Sequence, residues 1–258
     1  IFREYDIRGV VADDFPDEAV ELLGKGIGTY FREKDAKTIS LSGDIRLSTP
    51  HLKSVLTKGL LSTGIDIIDL GIVPTPVNYY SMYVLPVDGA IQITGSHNPP
   101  DMNGFKISLD KKAVFGEQIQ HIKNIIEKGV FAVGAGKVSE KSLLEEYKQM
   151  IISKIQLARP LKIAMDCGNG AASLTAPEIF KKIGCQVTEL YCEVDGRFPN
   201  HHPDPTVPKN LKDLIAEVQR GDYDFGVAFD GDADRALFVD ENGQIVEEGP
   251  PSVVLANP

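Results

Sequence analysis

Apolar residues recur along this chain in two alternating registers. Short runs at Thr38–Ser42, Ile65–Leu70, Asp88–Thr94 and Phe105–Leu109, bounded by glycine, proline or charged residues, predict strands. Between them the spacing turns helical. Leu52, Val55, Leu56, Leu60 and Leu61 predict a helix from about Pro50 to a stop at Gly64, and Val77, Tyr80 and Tyr83 predict another after Pro74 and Pro76. A helix near Glu117–Glu127 follows. The small, glycine-rich stretch Val130–Val138 predicts the approach to a linker. The alternation then restarts. A helix opens near Ser142, where Ser-x-x-Glu to Glu145 fits a capping box. Leu161–Asp166 reads as a strand, Cys167–Ala172 as a glycine loop, Ala176–Ile183 as a helix closed by Gly184, and Cys185–Tyr191 as a strand. Pro208–Arg220 carries Leu211, Leu214, Ile215 and Val218 on one side of a helix. Strands at Asp224–Phe229 and Ala236–Asp240 end in a hairpin turn at Asn242-Gly243.

Strands alternating with crossover helices predict an α/β fold: two consecutive three-layer domains with mostly parallel mixed sheets sandwiched by helices. The expected domains are 1–138 and 139–245, with 246–258 as the start of a missing third domain or a tail. Both halves follow one plan of strand, glycine loop, helix, strand, crossover helix, strand and loaded loop. Their sequences differ, so the repeat is architectural. In such sheets ligands collect outside the carboxyl ends of the strands, and the two chemically loaded loops both follow a strand there.

Composition narrows the function. A net charge of −10 argues against a binder of nucleic-acid backbones, which needs a basic face. No run of about 18 apolar residues suggests a membrane span, and no charged-then-apolar leader is seen. Cys167, Cys185 and Cys192 are odd in number and lack CxxC spacing, so buried thiols in a reduced cytoplasmic setting are expected. The chain opens on Ile1 and closes on Pro258, soon after its densest chemistry. That raises the expectation of a piece of a longer protein.

The first loaded loop is Thr94-Gly95-Ser96-His97-Asn98-Pro99-Pro100, after the strand Ala90-Ile91-Gln92-Ile93. Glycine allows a sharp turn and the proline pair blocks a helix, so Ser96 and His97 sit in an irregular loop at the sheet edge. A polar turn of no function has the same composition. A serine hydrolase fits poorly, because the G-x-S-x-G elbow is missing. The second loop is Asp230-Gly231-Asp232-Ala233-Asp234-Arg235, after Val227-Ala228-Phe229. Carboxylates at alternate positions repel one another unless a hard cation neutralises them. An EF-hand is rejected: Arg235 stands where its turn needs glycine, and the flanks read as strands. An aspartyl-phosphate hydrolase with Asp230 or Asp232 as nucleophile is the stronger rival, but gives Ser96 no role. Taken together the loops describe phosphoryl transfer, with a hydroxyl to carry the group, a divalent ion, and cations from Arg8, Lys106, Arg235 and His97.

The opening Phe2-Arg3-Glu4-Tyr5-Asp6-Ile7-Arg8-Gly9, the serine loop, Asn103-Gly104-Phe105-Lys106, and Asp230–Arg235 together resemble the α-D-phosphohexomutases. The resemblance spans nearly the whole chain, including Asn200-His201-His202-Pro203-Asp204-Pro205. It favours the phosphomannomutase/phosphoglucomutase branch over the phosphoglucosamine mutases, which tend to carry alanine where Gly95 stands. It implies that Ser96 is phosphorylated in the resting enzyme and that Asp230, Asp232 and Asp234, with a phosphoserine oxygen, hold Mg²⁺. Arg8 and Lys106 would flank the transferred group, His97 would position it, Tyr5 would line the cleft, and Arg235 would contact substrate or brace the metal loop. The implied reaction interconverts hexose 1-phosphate and hexose 6-phosphate through a hexose 1,6-bisphosphate, on mannose or glucose. The family's members resemble four-domain enzymes about twice this length. Their sugar-reading and phosphate-clamping loops lie in the later domains, and Glu247-Glu248-Gly249 stands too near the metal loop to be the sugar loop. The Asn200–Pro205 segment is read as structural. The expected partners are a phosphosugar and the missing carboxy-terminal domains, with no nucleic acid and no membrane.

Overall fold

The computed structural model describes residues 1–246, so the expectation for 246–258 lies, beyond Val246, outside the described residues. The chain divides into two compact units. One comprises residues 1–73, 77–95 and 100–142, and the other residues 74–76, 96–99 and the described chain from Leu143 onward.

In the first unit β1 (Ile7–Val10) leads through a short α1 (Val11–Asp14) to α2 (Asp17–Glu33). Then come β2 (Thr38–Gly43), α3 (Thr49–Ser62), β3 (Asp66–Ile72), α4 (Thr75–Val84) and β4 (Gly89–Ile93). β5 (Met102–Leu109), β6 (Lys112–Ala113), α5 (Glu117–Lys128) and β7 (Val138–Glu140) complete it. The sheet runs β1-β5-β4-β2-β3-β7, with β6 paired to β5. β4, β2, β3 and β7 are parallel, while at one edge β5 runs antiparallel to β4 and β1 antiparallel to β5. Strand alternation sorts its faces. Ile39, Leu41, Ile91, Ile93, Phe105 and Ile107 join Leu23, Ile27, Leu56, Leu60, Ile119 and Ile122 of α2, α3 and α5 in one apolar cluster. On the opposite face Ser40, Ser42 and Gln92 are polar and buried, and the two serines bond to α4. Ser40 meets the Ser81 hydroxyl at 2.6 Å, while Asn78 donates to Ser42 Oγ at 2.6 Å and to the Ile91 carbonyl at 3.0 Å. Gln92 accepts from Ser42 and donates to the Val73 carbonyl, so this layer is sealed by hydrogen bonds.

Several elements differ from expectation. Helix α2 was not read from the sequence, because Gly24, Gly26 and Gly28 interrupt it. They are there for close approach: a Cβ on Gly24 would lie 2.5 Å from the Leu56 carbonyl of α3, and one on Gly59 would collide with the Glu21 carbonyl of α2. The Val130–Val138 stretch is no free linker. Gly134 and Gly136 donate to the Ser62 and Leu61 carbonyls at 2.9 Å, and β7 extends the sheet beyond β3. The capping box does not form. Helix α6 (Leu144–Lys154) starts after Leu143 without a side-chain cap, and Glu145 instead pairs with the buried Lys148, which also meets Glu178.

The second unit continues with β8 (Lys162–Asp166), α7 (Ala176–Lys182), β9 (Gln186–Leu190), α8 (Lys212–Arg220), β10 (Phe225–Phe229) and β11 (Ala236–Asp240). The expected long helix from Pro208 is a 3₁₀ turn over Pro208–Leu211 followed by α8. Its sheet runs β11-β10-β8-β9, parallel except for β11. Ile163, Met165, Val227 and Phe229 pack on one face with Cys167 and Cys185. Ala164 and Ala228 pack on the other with Leu211, Leu214 and Val218. A core on each face makes three layers, as the strand–helix alternation predicts. β8 and β10 are parallel neighbours, so the loops leaving their carboxyl ends emerge side by side. No helix among the described residues is long and apolar enough to cross a membrane.

Candidate active site and metal centre

The acidic loop is the connection between β10 and β11. Asp230 N–H donates to the Arg235 carbonyl at 3.2 Å, Arg235 N–H to Asp230 Oδ1 at 3.1 Å, and Ala233 N–H to the Asp230 carbonyl at 3.1 Å. Ala233 is left-handed, with φ +64°. Gly231 presses its backbone against two neighbours. A Cβ there would lie 2.5 Å from the Ser96 carbonyl, and its own carbonyl accepts from Ala171 N–H at 2.9 Å. The glycine loop after β8 thereby supports the acidic loop after β10. Within the same unit Thr75 donates twice to Asp232, from its amide to the carbonyl at 2.9 Å and from its hydroxyl to Oδ2 at 2.6 Å. Oδ1 of Asp232 is buried and takes no hydrogen bond from the described residues, while Oδ2 is held by Thr75.

Asp230, Asp232 and Asp234 each bring one oxygen within 4.8 Å of the others, and the first two are fully buried. Bare carboxylates at that spacing repel by about 3–4 kcal/mol per pair at an effective dielectric near 20. The donor set is all oxygen, compact and anionic, which fits a hard divalent cation. Flanking strands in place of helices agree with the rejection of an EF-hand.

Ser96 belongs to this cluster. It is 1% exposed, left-handed at φ +49°, and donates its hydroxyl to Asp230 Oδ2 at 3.0 Å, with His97 Nδ1 at 3.4 Å. A non-glycine residue in that region is strained, and such strain gathers at functional loops. The residues just before it are anchored in the first unit by Asp44. Its Oδ2 accepts from the Thr94 hydroxyl at 2.8 Å and from Gly95 N–H at 3.2 Å, while Oδ1 accepts from Thr49 at 2.8 Å. Arg46 Nε donates to the same carboxylate at 3.2 Å and Nη1 to the Met102 carbonyl at 3.0 Å. Burial pushes the Asp44 carboxyl up, and the Arg46 guanidinium opposes that shift. A Cβ on Gly95 would stand 2.5 Å from Arg46 Cζ, so a larger residue there would displace that guanidinium.

Asp44, Arg46 and Thr75 were missed in the sequence. A carboxylate and a guanidinium directly after a buried strand were the available signal for the first two, whereas a lone threonine offered none. Tyr5, Arg8 and Lys106 lie in the first unit. Arg8 faces Gly104 across β1 and β5 and pairs with Asp6, and Lys106 faces Gln92 across β5 and β4. Tyr5 is exposed, stacked 6.3 Å from Phe115. Arg235 is half-buried at the end of the acidic loop. His201 faces Asp166 Oδ2 through Nε2 at 3.0 Å and the His202 carbonyl through Nδ1 at 3.0 Å. That pairing ties the Asn200–Pro205 segment beneath the glycine loop.

Known proteins resemble this chain over nearly all of its length. Residues 1–132 match the family model described as phosphoglucomutase/phosphomannomutase, alpha/beta/alpha domain I, and residues 142–243 match that for domain II. A phosphomannomutase/phosphoglucomutase of Pseudomonas aeruginosa is 46% identical over 246 residues, which cover 95% of this chain and 53% of that protein. A phosphoglucomutase of Neisseria meningitidis serogroup B is 46% identical over 248 residues, covering 95% and 54%. The crystal structure of a phosphoglucomutase/phosphomannomutase family protein from Burkholderia thailandensis superposes with a TM-score of 0.92 at 41% identity, covering 95% of this chain and 56% of that one. A structure from Thermus thermophilus, 24% identical with a TM-score of 0.84, supports the fold alone; it covers 95% of this chain and 58% of that one. The chain spans about half the length of the relatives it matches. Across that half, the two matched domains and the identity to these relatives place the chain in the phosphoglucomutase/phosphomannomutase family.

Proposed function

We propose that this chain is the phosphoserine- and metal-bearing half of a cytoplasmic phosphohexomutase that interconverts hexose 1-phosphate and hexose 6-phosphate, on mannose, glucose or both. The observation that carries the reading is the 3.0 Å hydrogen bond from Ser96 Oγ to Asp230, inside the cluster of three carboxylates. Asp230, Asp232 and Asp234 would hold Mg²⁺, which when bound neutralises phosphate oxygens. Ser96 carries the phosphoryl group and passes it to a hexose monophosphate, forming the 1,6-bisphosphate. The bisphosphate then returns its other phosphoryl group to Ser96. His97, Arg8 and Lys106 orient and stabilise that group, while Tyr5 and Arg235 contact the sugar phosphate. The domains are read as 1–138 and 139–245. The later domains of a full-length chain would read the sugar hydroxyls and clamp the second phosphate, so this half alone turns over slowly or not at all. Names of relatives at 46% identity favour this reading over a phosphatase with an Asp nucleophile or a phosphoglucosamine mutase.

Incubation with glucose 1,6-bisphosphate and Mg²⁺ tests it. Mass spectrometry is expected to find one acid-stable, base-labile phosphoryl group on Ser96, and none on the Ser96→Ala variant with its circular dichroism unchanged. An acid- and base-labile phosphoryl group on Asp230 or Asp232 would move the reading to the phosphatase.

A further inference from the structure

Strands β8 and β9 are parallel neighbours, and the chain bends at the carboxyl end of each. Their pairing runs past the last ladder residue: Cys167 N–H donates to the Leu190 carbonyl at 3.1 Å and Asn169 N–H to the Tyr191 carbonyl at 2.7 Å. That register sets Cys167 beside Cys192, and their sulfurs stand 3.2 Å apart. The two thiols differ in access. Cys167 is fully buried, whereas Cys192 is partly exposed. Cys185 lies in the same core but has no sulfur partner among the described contacts.

We propose that Cys167 and Cys192 form a redox-active dithiol that closes to a disulfide by exchange with a small-molecule disulfide, and that its state is felt in the acidic loop. Neither part depends on Ser96 chemistry. The half-exposed Cys192 thiolate attacks one sulfur of the small disulfide, its S–S bond breaks, and one small thiolate leaves. Cys167 then gives up its proton to that thiolate or to water and attacks Cys192 Sγ, expelling the second small thiolate. Two protein thiols are oxidised, and one small disulfide is reduced to two thiols. Burial pushes the Cys167 thiol well up, with the neighbouring Cys192 adding to the shift. Cys167 is thereby the resolving partner rather than the first attacker.

Closure draws the sulfurs from 3.2 Å to about 2 Å, a pull that falls on the 167–170 corner and on the end of β9. That corner has no slack on its other side. A Cβ on Gly170 would lie 2.9 Å from the Gly231 carbonyl, and the next amide, of Ala171, donates to that carbonyl at 2.9 Å. Displacement at Cys167 therefore reaches the backbone between Asp230 and Asp232.

The test uses the reduced protein treated with oxidised glutathione. Its intact mass is expected to fall by two hydrogens, with a Cys167–Cys192 cross-linked peptide and Cys185 still open to alkylation after unfolding. Cys167→Ser should retain one stable glutathionyl group on Cys192. Cys192→Ser should take up none at Cys167 while folded. A stable adduct on Cys192 in the parent protein, a cross-link involving Cys185, or closure only in denaturant would overturn the dithiol. Amide hydrogen exchange reads the coupling. Altered exchange of peptides covering 168–172 and 230–235 on oxidation, and none in Cys185→Ser controls kept reduced, is expected. Identical exchange in the two redox states would overturn the coupling.

Discussion

His201 offers both ring nitrogens to acceptors, one to the Asp166 carboxylate and one to the His202 carbonyl. A neutral imidazole has one N–H, so only the imidazolium satisfies both. Burial by itself would lower the pKa, but the hydrogen bond and charge of Asp166 outweigh it and the net shift is upward. A group with a raised folded pKa contributes stability in full below its unfolded value, about 6.5 for histidine, and loses it as pH rises through the folded value. The urea midpoint is therefore expected to fall as pH climbs above about 6.5, and His201→Gln should flatten that fall. An unchanged slope in the variant would remove His201 from this role. At this scale the sequence was most legible where partners are near in the chain, as in Asp230–Arg235. The anchor of Gly95 on Asp44 and Arg46 bridges about fifty residues. The support of Asp232 by Thr75 bridges 157, and no local pattern announces it.

Among the elements, the strands of five residues or more were legible because each couples an apolar run to a nearby glycine or charged stop, whereas the shorter β1, β6 and β7 were not read. Helix α2 was hidden by glycines that lower helix propensity by about 1 kcal/mol each. What outweighs that cost is the contact they permit, with Gly24 and Gly59 letting α2 and α3 touch backbone to backbone. Propensity and packing therefore make opposite forecasts for Gly59→Ala. Propensity alone promises a gain of about 1 kcal/mol, whereas a Cβ driven into the Glu21 carbonyl forces the helices apart at a cost of about 2 kcal/mol or more. Chemical denaturation is expected to show a net loss. The Ser142–Glu145 capping box fails for the complementary reason: Glu145 has a competing cation in Lys148, which also draws in Glu178.

For the molecule as a whole, alternation of strands and helices was enough to forecast two α/β layers-of-three, because each sheet must cover both faces. The polar character of the α4 layer was not, since Ser40, Ser42 and Gln92 read as ordinary strand residues until Asn78 and Ser81 close the network. The left-handed backbone of Ser96 has a further consequence for this molecule. An L-residue there stores about 1–2 kcal/mol that glycine would not. Stability and the phosphoryl-carrying role proposed for Ser96 thus pull in opposite directions at one position, and selection for thermal robustness alone would discard the hydroxyl. Ser96→Gly and Ser96→Ala remove the same oxygen, but only glycine relaxes the main chain. The glycine variant is expected to melt above the alanine variant by an amount worth about 1 kcal/mol, after its greater unfolded-state entropy is offset. Equal melting points would mean that the turn is comfortable for any small residue. A higher one for glycine would measure how much resilience this fold forgoes in order to hold a serine.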